Sequence, residues 1–149
     1  MAVVITLVLG TLGARLVGWL GVDYVGSWPQ AVAVGLAAMF AMTGVAHFVP
    51  AMRRDMIAIV PPGLPGAGLL VTITGVLEML GAGGLMYPPT RVAASGCLFV
   101  LMLAMFPANI YAARMPNPPK SMTSRLNVRT VQEIAYLAAA VVVGLGSIQ

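Results

Sequence analysis

One carboxylic acid, Glu78, lies in the middle of an apolar stretch that runs from Gly66 to Tyr87. An ionisable side chain at the centre of a membrane-spanning helix costs about 2.5–3.5 kcal/mol to insert, so such residues are rare and usually functional. The Gly, Leu and Met residues around it offer no counter-charge, so we expect Glu78 either to carry a proton or to have a polar partner. A polar site inside an apolar protein is therefore the first hypothesis.

Other polar residues fall near the ends of neighbouring apolar stretches. His47 lies in the last turn of one stretch, Asn109 lies near the end of another, and Gln132 and Glu133 open the last one. These positions would lie at a similar depth, near one membrane face. We therefore expect side chains from several helices to meet on the same side of the bilayer.

Two threonines extend this polar set along the helices. Thr43 comes one turn before His47, and Thr74 comes one turn before Glu78, so each pair shares a helix face. With a rise of about 1.5 Å per residue, Thr74 and Glu78 lie about 9 and 15 Å into the bilayer. The pattern predicts a polar funnel that opens at one membrane face and ends at Glu78. The candidate ligand-binding residues are Thr43, His47, Thr74, Glu78, Asn109 and Gln132.

Several of these polar residues, although not Glu78, also have a structural explanation. His47 is equally typical of an amphipathic residue at a membrane boundary, although imidazole readily exchanges protons near neutral pH. Asn109 follows Pro107 and would equally well bond a carbonyl group that a proline kink sets free. Glu133 begins a predicted helix, where a carboxylate complements the helix dipole. Ligand binding and local structural roles both stay open.

Composition places these residues in a membrane protein. Hydrophobic residues make up 60% of the chain and charged residues only 8%, whereas roughly a quarter of a soluble domain is charged. A hydrocarbon core about 30 Å thick needs roughly 20 apolar residues in a helix. The apolar runs are continuous rather than alternating, which favours helices over the strands of a barrel. The sequence predicts one all-α domain, residues 1–149, forming a polytopic transmembrane helical bundle with spans at about 1–21, 30–49, 66–87, 92–113 and 131–148.

The first stretch has an alternative interpretation as a cleaved signal peptide, because Arg15 interrupts its apolar run. However, no Lys or Arg precedes the run, as a secretory signal requires. Gly10, Ala14 and Gly18 recur at four-residue spacing, which favours close packing against a neighbouring helix or a second copy. We therefore expect the segment to be retained as a span.

A short amphipathic helix is predicted at about residues 51–60. Apolar and polar side chains alternate there at helical spacing, with Met52, Met56 and Ile59 opposite Arg53, Arg54 and Asp55. Pro61 and Pro62 would end this helix and turn the chain back into the bilayer. We expect the segment to lie along the membrane interface.

Most basic residues lie in two connections that share a side if all five stretches span. These residues are Arg53, Arg54, Arg114, Lys120, Arg125 and Arg129, whereas Arg15 and Arg91 fall on the other side. The positive-inside rule then predicts a multi-pass cell-membrane protein with the N-terminus and basic connections in the cytoplasm and the C-terminus outside. The charges are few and lack interleaved aromatic residues, so we expect membrane lipid as a partner and no nucleic acid.

Familiar catalytic and metal-binding patterns do not occur in the sequence. Cys97 is the single cysteine, which excludes an internal disulfide or a Cys-x-x-Cys redox pair. His47 is the single histidine, and it shares no helix with Glu78 or Glu133 at metal-ligand spacing. We therefore expect neither metal nor haem, and we favour a non-enzymatic role or an accessory subunit over an enzyme. An apolar bundle with a few convergent polar groups instead suits a quinone or a lipid.

Five short motifs, in chain order, resemble the DoxX-like family of small membrane proteins. They are Thr43–Phe48, Ile59–Pro62, Thr74–Glu78, Phe106–Tyr111 and a Gln132 that opens the last helix. The resemblance covers about three quarters of the chain, from Gly35 to its end. It implies a four-helix membrane core, with the first stretch as an extra N-terminal helix. It also implies that the shared polar positions are His47, Glu78, Asn109 and Gln132.

The DoxX-like resemblance implies several different activities. The family takes its name from a small subunit of an archaeal membrane thiosulfate:quinone oxidoreductase, and relatives are linked to thiol and oxidative-stress complexes or to receptor assembly. Our leading hypothesis is a non-catalytic subunit or helper that holds a quinone-like or lipid-like ligand. A proton-linked small-solute carrier and a membrane-protein assembly factor are the alternatives. The small bundle also favours a homo-oligomer or a partner protein in a membrane complex.

Overall fold

The structure is a computed structural model that describes residues 2–148, and within that range it contains helices and no strand. The α-helices are α1 (Ala2–Trp19), α2 (Trp28–Ala46), α3 (Pro50–Ala58), α4 (Ala67–Met86), α5 (Arg91–Arg114) and α6 (Leu126–Gly146). Among the described residues, every one of these helices except the short α3 is long and apolar enough to cross a membrane. Met1 and Gln149, the outermost residues of the predicted domain, lie outside the described range.

Four helices form a closed ring. Helix α2 packs against α4, α4 against α5, α5 against α6, and α6 returns to α2. Close contacts fix this arrangement, since a Cβ atom on Gly81 or on Gly144 would meet the Leu98 side chain or Ser95, respectively. Helix α1 packs on the outer side of α2. The predicted all-α bundle, with a four-helix core and one extra N-terminal helix, is confirmed.

Local sequence signals explain where the helices begin. At the start of α2, Ser27 and Gln30 form a reciprocal capping box, and Pro29 occupies the first turn, where proline is well tolerated. Helix α4 begins after Gly66, which has a positive φ of 67° that glycine adopts without strain. These signals place the starts of α2 and α4 within two residues of the predicted positions.

The start of the last helix was predicted incorrectly. The apolar run suggested a beginning at residue 131, but α6 begins at Leu126 and includes a polar first turn. Gln132 and Glu133 are therefore the seventh and eighth residues of α6, beyond the region where a helix dipole acts most strongly. The expectation that these two residues open the helix was wrong because a hydrophobic run does not reveal helical residues that precede it and include polar side chains.

The face formed by Gly10, Ala14 and Gly18 is covered within the chain. A Cβ atom on Gly10 would lie 3.0 Å from the Cα of Gly35 in α2, and Ala14 is buried. A Cβ atom on Gly18 would clash with the carbonyl oxygen of Val25 in the α1–α2 connection. The small residues thus permit close packing of α1 on α2, and this face is not free to contact a second copy.

The two ends of the bundle differ. We call the end that holds the α2–α4 and α5–α6 connections the basic end, because Arg54, Arg114, Lys120 and Arg125 are exposed there. The connections meet directly, since the Ser121 hydroxyl donates a 2.5 Å hydrogen bond to the Asp55 carboxylate. The half toward the opposite end holds an apolar core whose most deeply buried side chains are Leu36, Met39, Leu85, Leu98 and Val143.

Candidate functional site

Three of the predicted site residues meet between α2 and α4. The Thr43 hydroxyl donates a 2.6 Å hydrogen bond to Oε2 of Glu78. Nδ1 of His47 lies 2.8 Å from the Thr43 carbonyl oxygen and 3.9 Å from Oε2 of Glu78. Glu78 is only 3% exposed and His47 only 7%. We refer to Thr43, His47 and Glu78 as the α2–α4 site.

Two glycines bring the backbones of α2 and α4 close enough to form this site. A Cβ atom on Gly44 would lie 2.8 Å from Cγ of Met79 and 3.2 Å from the Gly75 carbonyl oxygen. A Cβ atom on Gly75 would lie 2.5 Å from Cβ of His47. Since real Cβ atoms do not approach so closely, only glycine allows this helix crossing. The acid on α4 can therefore reach a hydroxyl on α2.

The partner of Glu78 is a hydroxyl group rather than the imidazole. At 3.9 Å, the gap between His47 Nδ1 and Glu78 Oε2 is too long for a hydrogen bond. Nδ1 must donate to the Thr43 carbonyl, because a carbonyl oxygen can only accept. The neutral ring then carries its proton on Nδ1 and has a lone pair on Nε2.

Arg53 connects the α2–α4 site to α3. Its guanidinium donates to the carbonyl oxygens of His47 and Gly68, at 3.3 and 2.8 Å, and to the Thr72 hydroxyl at 2.9 Å. The sequence placed Arg53 opposite the apolar residues of α3 but did not anticipate these contacts with α2 and α4. The unpaired carbonyls at the end of α2 attract the guanidinium, and the Gly68 carbonyl and Thr72 hydroxyl provide further acceptors on α4.

Asn109 belongs to a second polar group, between α5 and the start of α6. Its Oδ1 accepts a 2.7 Å hydrogen bond from Arg129, which also donates to the carbonyl oxygens of Met122 and Ser124. The side-chain oxygen of Asn109 thus binds a guanidinium group. Arg129 is only 9% exposed, and sequence reasoning treated it merely as a topology signal. Its position just before an apolar stretch was the available clue to a buried role.

Thr74, Gln132 and Glu133 do not join the α2–α4 site through hydrogen bonds. The Thr74 hydroxyl donates to carbonyl oxygens of its own helix, at Leu70 and Val71. Gln132 is partly buried and makes no side-chain hydrogen bond within residues 2–148. Oε1 of Glu133 is buried without a partner in the described chain. The six predicted residues therefore do not form one hydrogen-bonded funnel, and only Thr43, His47 and Glu78 come together.

Packing is looser on the α5 and α6 side of the basic half. Within the described chain, α5 has no buried residue between Met102 and Ala112, and α6 has none between Arg129 and Ala140. By contrast, α2 and α4 remain buried at Gly44, His47, Gly75 and Glu78. The partly accessible residues of α5 and α6 in these segments include Asn109, Gln132, Glu133 and Tyr136. The opposite half is filled by the apolar core.

Two grooves lie outside the α2–α4 site. One, of about 640 Å³, runs between α4 and α5 past Leu77, Gly81 and Cys97, and the other, of about 290 Å³, lies between α5 and α6. Their linings are mostly apolar. Among the described residues, no three His, Cys, Asp or Glu side chains lie together as a metal-binding group.

Together, the fold and the site define a helical bundle of membrane-protein composition with a buried polar centre on one side of an apolar core. The chain belongs to the family described as a domain of unknown function, DUF8561, whose match covers residues 36–144. That range contains the whole ring apart from the first turns of α2 and the last two residues of α6, and it excludes α1. No match was found among curated proteins or among solved structures.

Proposed function

We propose that this protein is an integral membrane protein whose α2–α4 site holds the polar head of a hydrophobic ligand, a quinone or a lipid. In this proposal the chain is a non-catalytic subunit or helper of a membrane redox or stress-related system, as the DoxX-like resemblance implies. The observation that carries the proposal is the buried Glu78, which has one oxygen bonded to Thr43 and the other without a partner in the described chain.

Burying an acid among apolar residues is energetically unfavourable, so a residue of this kind usually serves a function. Thr43 satisfies Oε2 of Glu78, but within residues 2–148 neither Oε1 of Glu78 nor Nε2 of His47 has a hydrogen-bond partner. The fully buried unpartnered polar atoms belong to other residues, Arg15, Arg91 and Glu133, so these two atoms keep some access to the surface. Two unsatisfied atoms on neighbouring, deeply buried side chains suit the head of a bound molecule.

The arrangement favours holding a ligand over moving it across the bilayer. The residues of the α2–α4 site lie on the basic side of the apolar core, while Leu36, Leu85, Leu98 and Val143 pack in the other half. A head group that enters from the basic half would therefore reach Glu78 and then meet the apolar core, which blocks further movement toward the opposite end. Its hydrophobic tail would remain in contact with lipid.

Native extraction tests the proposal. The protein would be taken from membranes together with surrounding lipid by a styrene–maleic acid copolymer, and bound quinones and lipids would be measured by mass spectrometry. We expect a hydrophobic compound enriched over the bulk membrane in the wild type. In Glu78→Met, which keeps the volume but removes the acceptor atoms, enrichment should fall by about tenfold or more.

Thr74→Val is the matched control, because Thr74 lies one turn from Glu78 but bonds only to carbonyls of its own helix. It should retain the wild-type enrichment. Equal ligand content in Glu78→Met and the wild type would refute the proposal. A protein that co-purifies in fixed ratio would instead favour an assembly factor or a subunit of a larger complex, and a self-associated particle would favour a homo-oligomer.

The proximity of Glu78 and His47 favours a second candidate, a proton-linked small-solute carrier. Nδ1 of His47 and Oε2 of Glu78 are 3.9 Å apart, so a small rotation of either side chain away from Thr43 would bring them within hydrogen-bond distance for a proton transfer. This candidate predicts pH-dependent uptake into vesicles that contain the purified protein. Uptake that Glu78→Gln leaves unchanged would eliminate it.

We also propose that the basic end faces the cytoplasm. The Asp55–Ser121 hydrogen bond joins the two connections that carry most of the basic residues, and such residues concentrate on the cytoplasmic side. In a Cys97→Ala background, a membrane-impermeant maleimide should label Asp23→Cys but not Lys120→Cys in intact cells. Labelling of Lys120→Cys alone would reverse the orientation.

A further inference from the structure

The proton positions at the α2–α4 site can be assigned from its acceptors. Nδ1 of His47 is committed to the Thr43 carbonyl at 2.8 Å. Burial in apolar surroundings opposes a second proton on the ring, and so does the Arg53 guanidinium, which bonds the His47 carbonyl. Nε2 therefore presents a lone pair and accepts hydrogen bonds.

Glu78 also presents an acceptor. Its Oε2 lies 2.6 Å from the Thr43 hydroxyl, which itself lies 3.1 Å from the Met39 carbonyl oxygen. If the acid is ionised, Thr43 donates to Oε2. If the acid is neutral, a proton on Oε1 would find no acceptor among residues 2–148, whereas a proton on Oε2 is donated to Thr43, whose own proton then goes to Met39. In the ionised form and in this fully bonded neutral form, the shared proton lies between Oε2 and Thr43, and Oε1 is left as an acceptor.

From these two free acceptors we infer that the ligand head is a hydrogen-bond donor, such as a hydroquinone, an alcohol or an amine, rather than a quinone carbonyl or a trimethylammonium group. The inference rests on the proposed function and specifies the ligand for the same site. A head group that could only accept would leave Oε1 of Glu78 and Nε2 of His47 unpaired in an apolar surrounding, which is strongly unfavourable.

Two matched pairs of probes test the inference and separate the two sources of such a head group. The first pair is a decyl-hydroquinone and the corresponding decyl-quinone, kept under anaerobic conditions. The second pair is a lysophosphatidylethanolamine and a lysophosphatidylcholine with the same acyl chain, whose head groups differ by the presence of N–H donors. Binding would be measured as the excess of probe in nanodiscs that contain the protein over empty nanodiscs.

In at least one pair, the donor member should bind about tenfold more tightly than its partner, as one additional buried hydrogen bond allows. Preference in the first pair would indicate a quinol, and preference in the second an amine lipid. Glu78→Met removes the acceptor and should bring the ratio in that pair close to one. Thr74→Val should keep the wild-type ratio.

The wild-type ratio alone decides the inference if Glu78→Met does not fold. Equal or tighter binding of the quinone and of the phosphatidylcholine would overturn the donor assignment and leave the proposed function standing. A donor preference that survives in a folded Glu78→Met would also overturn it, because the acceptor would then lie elsewhere. Failure of all four probes to bind, with no ligand in the native extract, would refute the inference and the proposed function together.

Discussion

The Thr43 hydroxyl and Oε2 of Glu78 are 2.6 Å apart, and this hydrogen bond joins α2 to α4 inside the bundle. The distance is that of a short O–H···O hydrogen bond. The partner that a mid-helix acid requires is thus supplied by a neutral side chain on the neighbouring helix. The site's stability and its binding properties should both depend on this contact.

Replacing Thr43 by Val should destabilise the protein by about 1–3 kcal/mol, because Oε2 of Glu78 would be left buried and unpaired. Thr43→Ser keeps the hydroxyl and should recover most of the loss. Thr74→Val is the control, since its hydroxyl bonds within its own helix. The free energies of unfolding would be compared by denaturant titration in mild detergent, with circular dichroism as the readout. Equal stability of Thr43→Val and the wild type would mean that the bond contributes little.

Gly75→Ala should disrupt the crossing of α2 and α4. The new Cβ would lie 2.5 Å from Cβ and 2.9 Å from Cγ of His47, and overpacking of this kind typically costs about 1–3 kcal/mol. The displaced imidazole should also lose its place beside Thr43. Thermal unfolding and binding of the hydroquinone probe would both fall.

Gly83→Ala is the matched control for this change. Gly83 lies in the same helix, and within the described chain a Cβ there would meet nothing within 4 Å. Because alanine is the better helix former, the control should be neutral or stabilise by up to about 1 kcal/mol. Similar losses in both variants would show that the helix itself, rather than its contact with His47, is sensitive to substitution.

Arg53→Met should release α3 from α4. The variant loses the hydrogen bonds to His47, Gly68 and Thr72, and bonds to a charged group contribute about 1.5–3 kcal/mol. Amide hydrogen exchange in Pro50–Ala58 should therefore accelerate by about tenfold or more, because a smaller opening free energy exposes the helix more often. Mass spectrometry of peptides from this region gives the measurement.

Arg54→Met provides the comparison for Arg53. Arg54 is exposed, and its side chain makes no hydrogen bond within residues 2–148, although it carries the same charge on the same helix. Its exchange rates should match the wild type. If both substitutions accelerated exchange equally, charge on α3 rather than the hydrogen bonds of Arg53 would hold the helix in place.

Sequence reasoning succeeded where one physical quantity dominates. Apolar length fixes where the long helices lie, and a four-residue spacing places Thr43 and His47 on one helix face. The approach of this face to Glu78 depends on Gly44 and Gly75, whose roles become visible only when two helices are placed together. Helix pairing is a property of the fold rather than of any single stretch.

The roles of the remaining predicted site residues depend on which of several hydrogen-bond partners each side chain contacts. Residue spacing does not determine that partner. Thr74 shares a face with Glu78, yet its hydroxyl bonds back to its own helix, as threonine commonly does. Asn109 was expected either to bind ligand or to satisfy a proline kink, but Arg129 takes its side-chain oxygen. Arg129, used only to predict topology from the sequence, is thus a buried residue with a structural role.

Arg129→Gln should loosen the connection between α5 and α6. The guanidinium bonds Asn109 and the carbonyl oxygens of Met122 and Ser124, and glutamine is too short to replace all three. Because buried acceptors would be left unpaired, we expect a local loss of about 1–3 kcal/mol and faster thermolysin cleavage within residues 115–126. Arg125→Gln, at an exposed residue four positions earlier, should be cleaved at the wild-type rate. Unchanged cleavage in Arg129→Gln would show that other contacts hold the connection, and that the buried guanidinium has a role apart from stabilising it.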